Sequence, residues 1–272
     1  MNPVAKLSAL SRQFPVWLCD VWGVVHDGVV PIPSAVSALQ NHRAQGGKVI
    51  LITNAPRPSS YVVKHLNEMG VAKSAYDHII SSGDVTRKLM TLHGGGGLYH
   101  LGPEIDVVLF KGLSVKRVEL EEATAVLCTG LLDERVETAI DYLPLLSRMK
   151  SLDLRMICAN PDKVVRKGDV IVPCAGSLAE AYENLGGEVL MAGKPFAPIY
   201  DAALELAGNP ERAQVLAIGD GPETDIKGAL ANDLACLFIT GGINTSVTIV
   251  YEVKSRYPDA RMMGSMLELD WT

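Results

Sequence analysis

Eight short apolar runs rich in Val, Ile and Leu recur along this chain, and their spacing constrains the fold more than any other feature. They occupy residues 16–21, 48–53, 78–81, 106–110, 124–128, 154–158, 214–218 and 235–240. A strand with one wet face alternates apolar and polar residues. These runs do not, so they read as strands buried on both sides within a parallel sheet covered by helices. Between them the period changes. Residues 61–69 put Val62, Val63, Leu66 and Met69 on one helical face, with Gly70 as a C-cap. Residues 198–207 likewise turn Ile199, Ala202, Ala203 and Leu206 inward, and Gly208 and Pro210 end the helix. Strand–helix alternation of this kind predicts a doubly wound α/β fold.

With 272 residues, the chain has room for one large domain or two smaller ones. A hydrophobic content of 48% supplies a real core, which excludes disorder over most of the length. The net charge is −6 with no basic stripe, so nucleic acid is not the expected partner. The five cysteines (Cys19, Cys128, Cys158, Cys174 and Cys236) form no CxxC or Cys/His cluster. They read as buried, reduced thiols. Residues 1–15 lack the continuous apolar segment of a signal peptide. No apolar run approaches the ~20 residues of a membrane helix. A soluble, cytoplasmic protein without a membrane partner is expected. Residues 94–97 are four glycines, read as a flexible joint near a change of domain.

Open parallel sheets bind ligands beyond the carboxyl ends of their strands. The first run ends in Asp20, the second in Thr53-Asn54, and a later one in Gly219-Asp220 with Asp225 five residues on. Gly193-Lys194-Pro195 precedes the helical segment that leads to that later run. Two carboxylates, a hydroxyl and an ammonium would thus gather at one sheet edge. Taken singly, each has a structural alternative as a cap or turn residue.

Taken together and in order, the segments resemble the haloacid dehalogenase superfamily, class IIA, the branch of nitrophenyl-phosphatase and sugar-phosphatase-like hydrolases. Residues 20–28 (Asp-Val-Trp-Gly-Val-Val-His-Asp-Gly) are similar to that class's DxDGVxxxG motif except at its third position. Leu51-Ile52-Thr53-Asn54, Gly193-Lys194-Pro195 and the GDxxxxD run 219–225 supply the other three motifs. Ala159-Asn160-Pro161-Asp162, Gly176-Ser177 and Glu183 are similar to its substrate-cap signature.

The resemblance implies a Rossmann-like core over residues 1–86 and 190–272, with an inserted α/β cap over 87–189 that closes on the site. It implies hydrolysis of a small phosphorylated metabolite, with Asp20 as the nucleophile that forms an aspartyl-phosphate. Mg²⁺ would be held by Asp20, Asp220 and the backbone carbonyl of Trp22, with Asp225 fixing the surrounding shell. Thr53, Asn54 and Lys194 would bind the phosphoryl group. Asn160, Asp162 and Ser177 are the candidate cap contacts, with turn and capping roles as their alternative. A homo-oligomer is compatible with the sequence but not readable from it.

One position departs from the pattern. Two residues after the nucleophile, where the family's phosphatases carry an acid/base aspartate, stands Trp22. An indole N–H donates but cannot accept a proton. Metal binding through the backbone is expected to survive, while turnover of alkyl phosphates should fall by the ~10²–10⁴-fold that acid–base catalysis contributes. His26 and Asp27 are the nearest ionisable substitutes, with loop roles as their alternative. Two other functions follow: a weakened, phosphate-ligand-binding protein, or a dehalogenase. The family's dehalogenases carry an aromatic at this position and use no metal, whereas the intact 219–225 motif makes chemical sense chiefly around a cation. P-loop, dinucleotide, serine-hydrolase and histidine-metal patterns are absent.

Overall fold

The computed structural model describes residues 6–167, 170–242 and 248–271. From the N-terminus, α1 (Leu7–Gln13), β1 (Val16–Asp20), α2 (Pro33–Ala44), β2 (Lys48–Thr53), α3 (Ser59–Glu68) and β3 (His78–Ser81) come first. Next are α4 (Ser82–His93), β4 (Leu98–Leu101), β5 (Ala125–Cys128), α5 (Leu143–Ser151) and β6 (Arg155–Cys158). A hairpin of β7 (Val164–Lys167) and β8 (Val170–Pro173) leads to α6 (Ala175–Asn184) and β9 (Val189–Met191). The chain continues through α7 (Ala197–Ala207), β10 (Val215–Gly219), α8 (Lys227–Ala231), β11 (Ala235–Ile239), α9 (Ile249–Arg256) and β12 (Arg261–Met266).

Two compact units result. One comprises residues 1–53, 62–80 and 194–272, the other residues 54–61 and 81–193. The sheet of the first runs β12-β11-β10-β1-β2-β3. Its β12–β11, β11–β10, β10–β1 and β1–β2 pairs are parallel. The chain walks outward from β1 to β3, then returns to the other side of β1 and walks out again. Strand order therefore reverses at β1, and such a reversal opens a crevice beyond the strand ends. Every residue of β1, β10 and β11 is buried. That is the two-sided burial their unbroken apolar runs imply.

The second unit has its own parallel sheet, β4-β5-β6-β9. Its β5 shows how such a strand feeds two cores. Val126 and Cys128 join a cluster with Leu146, Met149 and Tyr182, while Ala125 and Leu127 join one with Met90 and Leu109. The hairpin β7–β8 is antiparallel.

Two expectations are corrected. Residues 106–110 belong to a 3₁₀ helix, Glu104–Phe110, not to a strand. Pro103 precedes it, and the Asp106 amide donates to the Pro103 carbonyl (3.0 Å). An apolar run of five does not by itself distinguish strand from helix. The four glycines form a packed turn between α4 and β4 instead of a loose joint. The Gly94 amide donates to the Met90 carbonyl (2.7 Å) and the Gly97 amide to the Gly94 carbonyl (2.8 Å). A Cβ on Gly97, at φ +153°, would sit 2.7 Å from a Val118 methyl. The apolar-run reading passed over β4, β9 and the hairpin, and also β12, which Arg261, Gly264 and Ser265 interrupt. The helix stop at Gly208 is in place, with φ +91° at the end of α7. Among the described residues, no helix is long and apolar enough to cross a membrane. All five cysteines are free and buried.

Candidate active site and metal centre

The sheet register explains why distant acids meet. Asp20 ends β1 opposite Ile52 of β2, so Thr53 emerges one residue beyond it. On the other side Cys19 pairs with Ile218, and the chain leaves β10 through Gly219 to Asp220. Hydrogen bonding in the loop after β10 then turns Asp225 back toward the sheet. The Asp225 amide donates to the Gly221 carbonyl (2.8 Å), and the Ile226 amide reaches the same carbonyl (3.2 Å), giving a wide helical turn. Asp225 Oδ2 accepts in return from the Gly221 amide (3.0 Å) and the Thr224 hydroxyl (3.3 Å).

The carboxylates of Asp20, Asp220 and Asp225 each offer an oxygen, and these lie within 4.8 Å of one another. All three residues are buried, as are Thr53, Asn54 and Lys194. The Lys194 ammonium bridges two of the acids, at 2.6 Å from Asp20 Oδ1 and 2.7 Å from Asp225 Oδ1. Asp20 Oδ1 also accepts from the Val21 amide (2.7 Å). The walls are bare backbone. A Cβ on Gly23, at φ +81°, would fall 2.2 Å from Asp220 Oδ2, and one on Gly242 would fall 1.8 Å from the same oxygen. Residue 23 is therefore doubly committed to glycine, by conformation and by proximity. Gly242 had no part in the sequence reading. Its signal is the Gly241-Gly242 pair just beyond the run that ends at residue 240.

The electrostatics are unbalanced. Burial pushes the Asp20 carboxyl well above its usual range, Asp225 and Asp220 push it further, and Lys194 opposes them. Burial alone would lower the Lys194 ammonium, yet Asp20 and Asp225 outweigh it and hold lysine firmly charged. Beside them Tyr200 is raised well above the ordinary phenol value, by burial first and Asp225 second. Three acids against one ammonium leave excess negative charge in a dry, glycine-walled cradle. Oxygen-only donors at this spacing fit a hard divalent cation.

Trp22 and the residues around it are fixed by packing. The Trp22 indole lies over Gly28, whose Cβ would meet Cζ2 at 2.4 Å, and it meets the His26 ring edge-on at 5.0 Å. His26 is 2% exposed, and its Nδ1 accepts from the Gly28 amide (2.9 Å). Burial, with some help from His65, lowers its pKa to about 4, so it is neutral at pH 7. Asp27 is exposed, and its Oδ1 accepts from the Val29 and Val30 amides (both 2.8 Å). Both side chains therefore serve the loop.

The remaining candidates lie in the second unit. Asn54 Nδ2 donates to Asp162 Oδ1 (2.8 Å), and Asn160 Oδ1 accepts from the Asp162 amide (3.0 Å). These three residues thus form one bonded loop. Ser177 is engaged separately, donating its hydroxyl to the Cys174 carbonyl (2.7 Å) at the start of α6.

Comparison with known proteins gives the family. Residues 17–115 match the family model of haloacid dehalogenase-like hydrolases, and residues 191–260 match a second, HAD-hydrolase-like model. The D-glycerol 3-phosphate phosphatase of Mycobacterium tuberculosis is 27% identical over 93% of this chain and 70% of its own. A p-nitrophenyl phosphatase from Archaeoglobus fulgidus shares the fold, with TM-score 0.75 and 20% identity over 94% of this chain and 97% of its own. A haloacid dehalogenase-like hydrolase from Brucella suis 1330 has TM-score 0.84 and 44% identity over 89% of this chain and 90% of its own. With that identity across nearly both full lengths, and with the acids and the lysine gathered as described, the chain belongs to the haloacid dehalogenase-like hydrolase family.

Proposed function

We propose that this protein is a Mg²⁺-dependent phosphoric monoester hydrolase acting on a small organic phosphate. The observation that carries the reading is the meeting of oxygens of Asp20, Asp220 and Asp225 within 4.8 Å of one another, with the Lys194 ammonium bridging Asp20 and Asp225. Named phosphatases among its relatives support the reaction class. In this reading Asp20, Asp220 and the Trp22 carbonyl would hold the ion, and Asp225 would orient the site through Lys194. When bound, Mg²⁺ would offset the excess negative charge and polarise a phosphoryl oxygen.

The rest falls to the chain's own residues. The Asp20 carboxylate attacks phosphorus as the ester P–O bond breaks, and water later cleaves the aspartyl-phosphate to return the carboxylate and release phosphate. The Thr53 hydroxyl and Asn54 hold phosphoryl oxygens, and Lys194 balances the charge that develops on them. Asn160, Asp162 and Ser177 are the candidate substrate contacts of this reading, and they set the shape of loops in the second unit. Trp22 supplies no proton to the leaving oxygen. His26 is held neutral and Asp27 is turned to its own loop, so neither replaces the missing acid. Aryl and acyl phosphates, whose leaving groups depart unprotonated, are therefore the better substrates.

The test is phosphate release from nitrophenyl phosphate with and without Mg²⁺, beside Asp20→Asn. Metal-dependent turnover that drops at least about 10³-fold in the variant supports the reading. Trp22 favours a second reading, a phosphate-binding protein with little turnover. Binding without hydrolysis across a broad panel of phosphate esters would select it.

A further inference from the structure

A cleft of about 320 Å³ in the second unit is lined by Pro58, Ser60, Tyr61, Arg87, Val108 and Lys111. Its volume is at the lower end of small-ligand sites. In a chain with more acids than bases, this lining holds two cations and no carboxylate. The Arg87 guanidinium is steadied from one side, donating through Nη1 to the Leu109 carbonyl (2.6 Å), and among the described residues it forms no ion pair. Among the described residues, Lys111, Ser60 and Tyr61 have no polar partner for their side chains. Asp84, one turn before Arg87 on α4, is committed elsewhere. Its oxygens accept from the Ser59 and Ser81 amides and from the Ser81 hydroxyl. The cations beyond the cleft are paired more often: Arg57 with Asp106, Arg117 with Glu104, Arg155 with Glu188 and Lys163 with Glu180.

We propose that this cleft is a binding site for a small organic oxyanion, a phosphate- or carboxylate-bearing molecule with a compact apolar body. The guanidinium and ammonium would take the anionic oxygens, and the two hydroxyls would donate to them. Pro58, Val108 and the Tyr61 ring would face the apolar part. The site uses none of the residues assigned to catalysis, and it stands whether or not the chain hydrolyses phosphate esters.

Calorimetric titration of the full chain tests it, with phenylphosphonate, benzoate and inorganic phosphate as probes. Phenylphosphonate resists hydrolysis and carries both the dianion and the ring. The proposal expects a binding event, separate from any at the catalytic acids, that Arg87→Gln/Lys111→Gln removes or weakens at least about tenfold, with basal nitrophenyl phosphate turnover unchanged. Lys111→Glu should weaken it further, and Arg87→Lys should retain part of it. Tighter binding of benzoate than of either phosphorus probe would identify a carboxylate ligand, and the reverse a phosphorylated one. Isotherms that superimpose for wild type and a folded double variant would overturn the proposal. Equal weakening by Lys111→Gln and Lys111→Met of every probe, neutral benzamide included, would also overturn it, because charge would then be irrelevant.

Discussion

The two units treat their polar side chains in opposite ways. In the first, three buried carboxylates meet, one ammonium bridges Asp20 and Asp225, and Asp20 is pushed upward by burial first and by its acidic neighbours second. In the second, Asn54 satisfies Asp162, Asn160 holds the Asp162 amide, Ser177 closes on Cys174, and the buried Asp106 carboxylate receives Arg57 Nε at 2.8 Å. Buried polar groups are ordinarily matched. Satisfied groups build a scaffold, whereas a buried carboxylate cluster left short of positive charge has the chemistry to receive a cation.

Four experiments would break or sharpen that contrast. The largest effect is expected at Trp22, which supplies no acid or base in the proposed reaction. Trp22→Asp should raise turnover of an alkyl phosphate by ~10²–10⁴-fold and change an aryl phosphate much less. A uniform loss on both substrates would mean that Trp22 packing over Gly28, and not the missing proton relay, governs the site.

Next, Lys194→Met removes the shared ammonium and leaves Asp20 and Asp225 facing each other in a buried cluster. Without metal this should cost ~3–5 kcal/mol of stability by denaturant titration, with part recovered on adding Mg²⁺. If the metal-free variant is as stable as wild type, the carboxylates are not electrostatically short of charge.

A smaller effect tests burial in the first unit away from the acids. His42 is fully buried, stacks on Trp17 at 3.8 Å, and shares a 2.7 Å hydrogen bond with Ser11. Burial lowers its pKa from 6.5 to about 4, against smaller opposing contributions from neighbouring backbone and Asp77. The unfolded chain therefore binds the extra proton first as pH falls. His42's contribution to stability is complete above pH 6.5 and is lost as pH drops toward 4. Melting temperature should decline across that window, and His42→Gln should flatten the decline. An equal slope in the variant would assign the pH dependence to other groups.

The smallest effect belongs to the second unit. Asn54→Ala should cost ~1–3 kcal/mol by leaving Asp162 Oδ1 without its amide donor. Asp162→Ala alone should cost a similar amount, and the double variant should cost less than the two combined. Strict additivity would show that the pair is not coupled.

Much of this was readable before any coordinates. Unbroken apolar runs identified β1, β2, β10 and β11 because a strand buried on both faces has no polar face to display. The acids that end those strands could be placed at one edge because parallel strands present their carboxyl ends together. The sequence therefore determined the α/β class and the ordered set Asp20, Thr53, Lys194, Asp220 and Asp225, both of which follow from local pattern and strand direction. Tertiary structure alone decided that residues 104–110 coil into a 3₁₀ helix, that His26 is neutral and bound to its own loop, and that Gly242 forms a wall beside Asp220. It also decided that Arg87 and Lys111 face one cleft without an acid. Each of these depends on which distant backbone or side chain lies within a few ångströms, and burial and pairing of that kind leave no periodic trace along the chain.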